Sequence, residues 1–339
     1  MGNVLGRMFR LADRLVCRAG AAISSGNGTL TGLAFHALVD DPRRLADEPL
    51  LSPQCFSVAE LRRVVEHFAS RGYRFITPRH LPDGIDPSGR YVMLTFDDGY
   101  HNNLLALPVL REFGVPATVY VSSDHVRLGK AFWWDVLWRK RRAAGAAPAN
   151  VLRELAHLSA RRTHEVEKVI MDEFGAGALD CAGDLDRPLS PEELRQLAAD
   201  PLIVIGNHTA HHAVLTNYAP EEARAQIEGC QQALADITGK TPDSIAWPDG
   251  RYNASVISVA REVGLRTGLS VDLHAERLPV RHDEQRLMHL GRFCIKHDED
   301  IDLQCLAMRS PVSVYRLGQA LARRLRHGRQ SPDHRPGYA

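Results

Sequence analysis

The sequence predicts an α/β fold built on a parallel sheet, either open or closed into a barrel. Three observations carry this prediction. Short apolar runs recur along the chain, segments of helical period lie between them, and the motifs richest in Asp and His follow directly on apolar runs. With 339 residues, 44% hydrophobic and 24% charged, the chain can bury a large core, as one domain with insertions or as two smaller ones.

Residues 4–22 read as an amphipathic helix. Leu5, Met8, Phe9, Ala12, Leu15, Val16 and Ala19 share one face, and Arg7, Arg10, Arg14 and Arg18 share the other. The stretch Ser24–Gly28 ends it. Leu30–His36 is a short apolar run closing on a histidine, and Phe56–Arg71 is helical by period, with a strand at Arg74–Thr77 after it. Tyr91–Phe96 (YVMLTF) and Pro116–Val121 (PATVYV) have the composition of buried strands. Shorter strands are expected at Leu202–Ile205, Ser244–Trp247 and Thr267–Ser270, with helices at Pro220–Ile237 and Ala254–Val263. From about Asp124 to Pro201 the chain is helical and charged with no strong strand, so a helical insertion should sit over one face of the sheet. A second basic amphipathic helix is expected at Val312–Arg326, carrying Arg316, Arg323, Arg324 and Arg326, and the polar tail His327–Ala339 should be disordered. No repeat of 20–50 residues is present.

The formal net charge of +1 gives no reason to expect nucleic acid as a partner. Six cysteines are scattered without a CxxC pair, which suits buried thiols in a reducing compartment and not a zinc-thiolate centre. Arginines interrupt the first 22 residues, so no secretory h-region forms, and no run of about 18 apolar residues occurs. The expected location is the cytoplasm. Basic amphipathic helices at both ends also suit an anionic membrane surface, so peripheral contact with its inner face is an expectation alongside simple packing on the barrel. The sequon-like Asn27-Gly28-Thr29 is read as noise in that setting.

Three motifs carry chemistry. TFDDG (Thr95–Gly99) stands at the C-terminal end of a buried strand, where parallel α/β folds gather their active sites. Asp97 and Asp98 would face different ways on an extended strand, one toward a metal and one toward substrate, although Asp-Asp-Gly is also ordinary turn chemistry. IGNHTAHH (Ile205–His212) follows another strand. His208 and His212 are four apart, so a helical turn would set both imidazoles on one face; His211, three from His208, competes for the role. Asp98 would complete three protein ligands and leave a position for water, as catalytic sites require. IAWPDGRYN (Ile245–Asn253) follows a third strand, and Trp247 with Pro248 could wall a sugar ring or simply make a strand-to-helix turn.

TFDDG, HTxxH and a Pro-x-Gly loop, in that order and each after a strand, resemble the NodB-type polysaccharide deacetylases (carbohydrate esterase family 4). FHALVDDP (Phe35–Pro42), LRRVVEHFASRGYRFIT (Leu61–Thr77), FWWD (Phe132–Asp135) and GRFCI (Gly291–Ile295) resemble the bacterial exopolysaccharide-associated branch, so the likeness spans roughly residues 30–297. It implies a distorted (β/α) barrel of fewer than eight strands with an open seam. It also implies a divalent cation, zinc first, on Asp98, His208 and His212, with His211 a bystander; Asp97 as general base; and a backbone N–H near Tyr100 for the oxyanion. The reaction implied is hydrolysis of N-acetyl groups on a polysaccharide or related glycoconjugate.

Two positions depart from the pattern. The family's third motif often has an arginine two residues before its proline, to orient the base; here Ala246 stands there, and Arg251 or Arg292 must substitute, with Arg292 preferred. The family's final Leu-x-His, source of the general acid, is matched in letters by Leu287-Met288-His289, with His36 as the alternative. The expected partition is a basic helix and linker over 1–28, a deacetylase domain over 29–310, and a basic helix with tail over 311–339. Deacylation of a lipid-linked sugar or other small amide, and glycan binding without catalysis, are the rival functions.

Overall fold

The computed structural model describes residues 13, 15–17, 19–20, 26–44, 55–280, 285–297 and 300–310. The few described residues of the first expected terminal helix are helical; the rest of it, and the whole of the second with its tail, lie outside the described residues.

In chain order the strands are β1 (Thr29–Phe35), β2 (Leu38–Val39), β3 (Phe56–Ser57), β4 (Arg74–Phe75), β5 (Arg90–Phe96), β6 (Ala117–Val121), β7 (Ile203–Asn207), β8 (Ser244–Ala246), β9 (Thr267–Leu269), β10 (Glu276–Arg277) and β11 (Arg292–Cys294). Seven of them run parallel in the order β11-β1-β5-β6-β7-β8-β9. The ring nearly closes, because Leu269 at the end of β9 bridges Leu290, two residues before β11. The Leu290 N–H donates to the Gly268 carbonyl (2.9 Å) and the Ser270 N–H to the Leu290 carbonyl (2.8 Å). This is the distorted barrel, open at one seam, that the sequence led us to expect.

The barrel strands are largely buried along their length because both faces are covered. On β5 the two-residue period sends Val92, Leu94 and Phe96 outward, where they join Leu61, Val64, Val65 and Phe68 of the helix Val58–Ala69. Tyr91 and Met93 go inward with Leu30, Tyr120, Ala246, Leu269 and Leu290. The helix Val58–Ala69 starts at Ser57, whose hydroxyl accepts from the Glu60 N–H while the Glu60 carboxylate accepts from the Ser57 N–H. That reciprocal cap fixes its first turn.

Between β6 and β7 lies the insertion, with helices Ser123–Leu128, Trp133–Ala143, Pro148–Leu158, Thr163–Phe174 and Pro191–Ala199. Three of them share a small core of their own around Trp133, Val136, Leu137, Leu158, Val166 and Ile170. Among the described residues no helix is long and apolar enough to cross a membrane, and no disulfide forms.

Candidate metal centre and catalytic carboxylates

Parallel strands deliver their C-terminal ends to one rim, and the motif residues emerge there: His36 after β1, Asp97 and Asp98 after β5, His208 and His212 after β7, Trp247 after β8. Asp98 is 1% exposed, and one of its carboxylate oxygens, Oδ1, lies 3.4 Å from His208 Nε2 and 3.5 Å from His212 Nε2. One ligand atom from each of the three residues can be chosen so that all lie within 4.8 Å of one another. Two ligands at zinc distances in a tetrahedron are about 3.3 Å apart, so these spacings match a cation's needs. Asp98 Oδ1 has no hydrogen-bond partner, a costly state for a buried carboxylate oxygen and one that a bound cation would relieve. The His208 Nδ1–H donates to the Ala246 carbonyl (2.8 Å), which fixes the tautomer and leaves Nε2 as the free donor atom.

The histidine pair does not sit on a helical turn. The segment after β7 is an irregular loop in which Thr209 (φ 64°) and His212 (φ 52°) take left-handed conformations. The Asn207 side chain accepts from the Thr209 N–H, and the Thr209 hydroxyl accepts from the Ala213 N–H. These side-chain bonds replace a helix ladder and turn both imidazoles inward. Asp98 is itself left-handed (φ 75°), which ends β5 and swings its carboxylate toward the histidines.

Burial pushes the Asp98 carboxyl upward, but the adjacent imidazoles of His208 and His212 prevail and hold it low. His208 is raised: burial opposes its charge, while Asp98 and Asp97 favour it. Burial, then the charge of His208, drives His212 down to about 4.

Asp97, 3% exposed, is gripped by Arg292: Nη1 donates to Oδ1 at 2.7 Å and Nη2 to Oδ2 at 2.8 Å. Arg292 is fully buried, and it also donates from Nε to the Ser270 carbonyl (3.0 Å) and from Nη1 to the Thr95 hydroxyl (2.8 Å). Its guanidinium lies 5.7 Å from the Tyr120 ring centroid. Gly32 makes room for it on β1, since a Cβ there would stand 2.8 Å from Arg292 Cγ. Burial tends to raise Asp97, and the Arg292 charge overcomes that and keeps the carboxyl below its ordinary range.

The insertion reaches the same rim. The Tyr100 hydroxyl donates to Asp135 Oδ2 (2.6 Å) and accepts from the Trp134 indole N–H (3.0 Å). The Trp134 ring is 4.5 Å from that of His212. Burial and the nearby Asp98 push Asp135 up to about 7, and burial with Asp135 pushes Tyr100 well above its usual value. Either side of Tyr100 the backbone is clamped: Gly99 O accepts from Leu189 N–H (2.9 Å), and His101 N–H donates to Arg187 O (3.0 Å).

The family model for polysaccharide deacetylases matches residues 84–268, more than half of the chain. The chain belongs to the polysaccharide deacetylase family. A curated relative named for that activity, YxkH of Bacillus subtilis, is 22% identical over 206 residues, 59% of this chain and 53% of the relative. The chain thus spans about half the length of the curated relative it matches. Among solved structures, a polysaccharide deacetylase of Bacillus cereus aligns over 83% of this chain and 69% of its own at 18% identity (TM-score 0.56). The deacetylase PplD of Streptococcus pyogenes, solved with acetate, aligns over 83% and 99% at 16% identity (0.55). IcaB of Ammonifex degensii aligns over 84% and 98% at 17% identity (0.55). At these identities the structural likeness speaks for the fold.

Set against the deacetylase pattern, the remaining expected residues divide. Arg292, not Arg251, meets Asp97; the Arg251 guanidinium reaches Ser159 of the insertion instead (3.4 and 3.5 Å). His211 faces Tyr218 and Asp124, outside the metal group. Trp247 is not an exposed wall for a sugar: it is 1% exposed, its indole N–H donates to the Met288 carbonyl (2.8 Å), and Pro248 beside it is buried. His289 stacks on Tyr252 (centroids 6.0 Å, planes 5° apart), whereas His36 follows β1, the strand paired with β5. The sequence reading gave Asp135 and Trp134 no role. The one signal in the sequence was an acid directly after the aromatic run Phe132-Trp133-Trp134.

Proposed function

We propose that the protein is a metal-dependent hydrolase that removes acetyl groups from the amino sugars of an N-acetylated polysaccharide or glycoconjugate, leaving acetate and a free amine. One observation carries this reading. A buried, unpartnered Asp98 oxygen faces two imidazole Nε2 atoms, and the carboxylate one residue before it, Asp97, is held ionised and immobilised by Arg292. A divalent cation held by Asp98, His208 and His212, zinc by preference, would supply Lewis acidity toward the acetyl carbonyl and lower the pKa of water.

The chain's own groups do the rest. Asp97, kept ionised by Arg292 and fixed in orientation by two hydrogen bonds, accepts the proton of the attacking water. The clamped Tyr100 N–H donates to the oxygen on which charge develops. His36 protonates the departing amine in place of His289; its position at the end of β1, on the rim that carries Asp97 and Asp98, supports that choice. The folded insertion, with Trp134 against His212, narrows access to the rim.

The test is acetate release from N-acetylglucosamine oligomers by purified protein before and after chelation. Release that stops with chelator and returns with zinc supports the reading. Release indifferent to chelation, or a bound metal without release from any N-acetylated glycan, contradicts it.

A further inference from the structure

Four non-glycine residues among those described have left-handed φ: Asp98, Thr209, His212 and Asp249. Such backbone is costly outside glycine and concentrates where function demands an orientation. Asp98 and His212 belong to the metal group, and Thr209 shapes the loop between its two histidines. Asp249 (φ 56°) is left without a part in that account.

Its position is at the same rim. Asp249 lies three residues beyond Ala246, whose carbonyl anchors His208, and β8 pairs with β7 through Asn207 and Ile245. The turn is held from both sides, with the Gly250 N–H on the Trp247 carbonyl (2.7 Å) and the Arg251 N–H on that of Pro248 (3.1 Å). Gly250 cannot yield, because a Cβ there would stand 2.4 Å from Val271. Trp247, Pro248 and Gly250 are buried, so the turn presents only the Asp249 side chain to solvent.

We infer that Asp249 is a specificity-determining residue, whose carboxylate accepts hydrogen bonds from the hydroxyls of the sugar ring that carries the acetamide. An ionised carboxylate only accepts, and two neighbouring ring hydroxyls offer two donors that match its two oxygens. The turn itself would be served as well by asparagine, so the need for a turn does not explain the acid. The inference rests on the deacetylase reading and names what that site recognises beyond the acetyl group.

The experiment compares zinc-loaded wild type with Asp249→Asn on two substrates: N-acetylglucosamine oligomers, and 4-nitrophenyl acetate, an acetyl donor with no sugar hydroxyls. Asparagine keeps the left-handed turn and lowers the acceptor strength. The ratio of kcat/KM on oligomer to kcat/KM on ester should fall about tenfold, chiefly through KM, as expected for a weakened charge-assisted hydrogen bond. Asp249→Gly, which relieves the backbone strain and removes the side chain, should lower the ratio further and gives the same readout should Asn disturb the fold. A ratio unchanged in both variants, with wild type active, overturns this inference alone. An equal fall on both substrates together with reduced zinc content also overturns it, by putting Asp249 on the metal. No hydrolysis of either substrate by wild type overturns the deacetylase reading and this inference with it.

Discussion

Arg292 holds Asp97 by two hydrogen bonds of 2.7 and 2.8 Å, across a separation of 195 positions in the chain. The pair joins β11 to the end of β5 through the barrel interior, where an arginine within a short apolar strand must find an anion. It stands in for the arginine absent at Ala246, and it supplies the same charge from another strand.

Replacing Arg292 should therefore separate orientation from charge. Arg292→Lys keeps the charge and loses the planar fork, and we expect kcat to fall about 10²-fold with metal content intact. Arg292→Gln leaves Asp97 buried without its cation and should cost about 3–5 kcal/mol of stability by denaturant titration.

Metal binding should depend on all three donors. Zinc at about a hundred times its Kd should add about 2.7 kcal/mol to the unfolding free energy of wild type. His208→Ala and Asp98→Asn should show no such stabilisation, and metal analysis of the purified variants should find close to none. His211→Ala should bind zinc as wild type does, since its ring faces Tyr218.

Tyr100, Asp135 and Trp134 should behave as one unit. Tyr100→Phe strips the indole N–H of its acceptor and Asp135 of its donor, and we expect a loss of about 1–3 kcal/mol. Because the partners are shared, Tyr100→Phe with Asp135→Asn should cost less than the two single changes added together, which a double-mutant cycle measures.

Much of this arrangement was legible in the sequence. Composition marked the barrel strands β1 and β5 to β9, and TFDDG and the histidine cluster marked two of the loops on the rim. Spacing alone misled at the histidines. A separation of four suggested a helix, but side-chain bonds from Asn207 and Thr209 build a left-handed loop, so helical faces could not separate His211 from His212. Trp247 misled in the other direction: an indole in a loop reads as exposed until its N–H finds the Met288 carbonyl 41 positions away. Asp135 and Asp249 lay inside quoted motifs but received no role, because their surroundings come from segments far apart in the chain.

Acid should weaken the clamp beside Tyr100 in a defined direction. Hydrogen bonds from Arg187 hold the Glu193 carboxyl down at about 2 against partial burial, and His101 Nδ1 lies 3.0 Å from it. A carboxyl lowered on folding contributes stability that is complete above its unfolded pKa of about 4.5 and is lost as pH falls toward 2. Thermal unfolding of wild type and Glu193→Gln should differ most above pH 5, and the two curves should converge between pH 5 and 2. A constant difference across that window would remove Glu193 from the account.

The central claim is that Asp97 does chemistry that the metal group alone does not. The most direct measurement is acetate release from N-acetylglucosamine oligomers by zinc-loaded wild type and zinc-loaded Asp97→Asn, with zinc content determined on both samples. The account predicts acetate from wild type and at least about a hundredfold less from the variant, at equal zinc content. Equal release from both, or none from a zinc-loaded wild type, would contradict it.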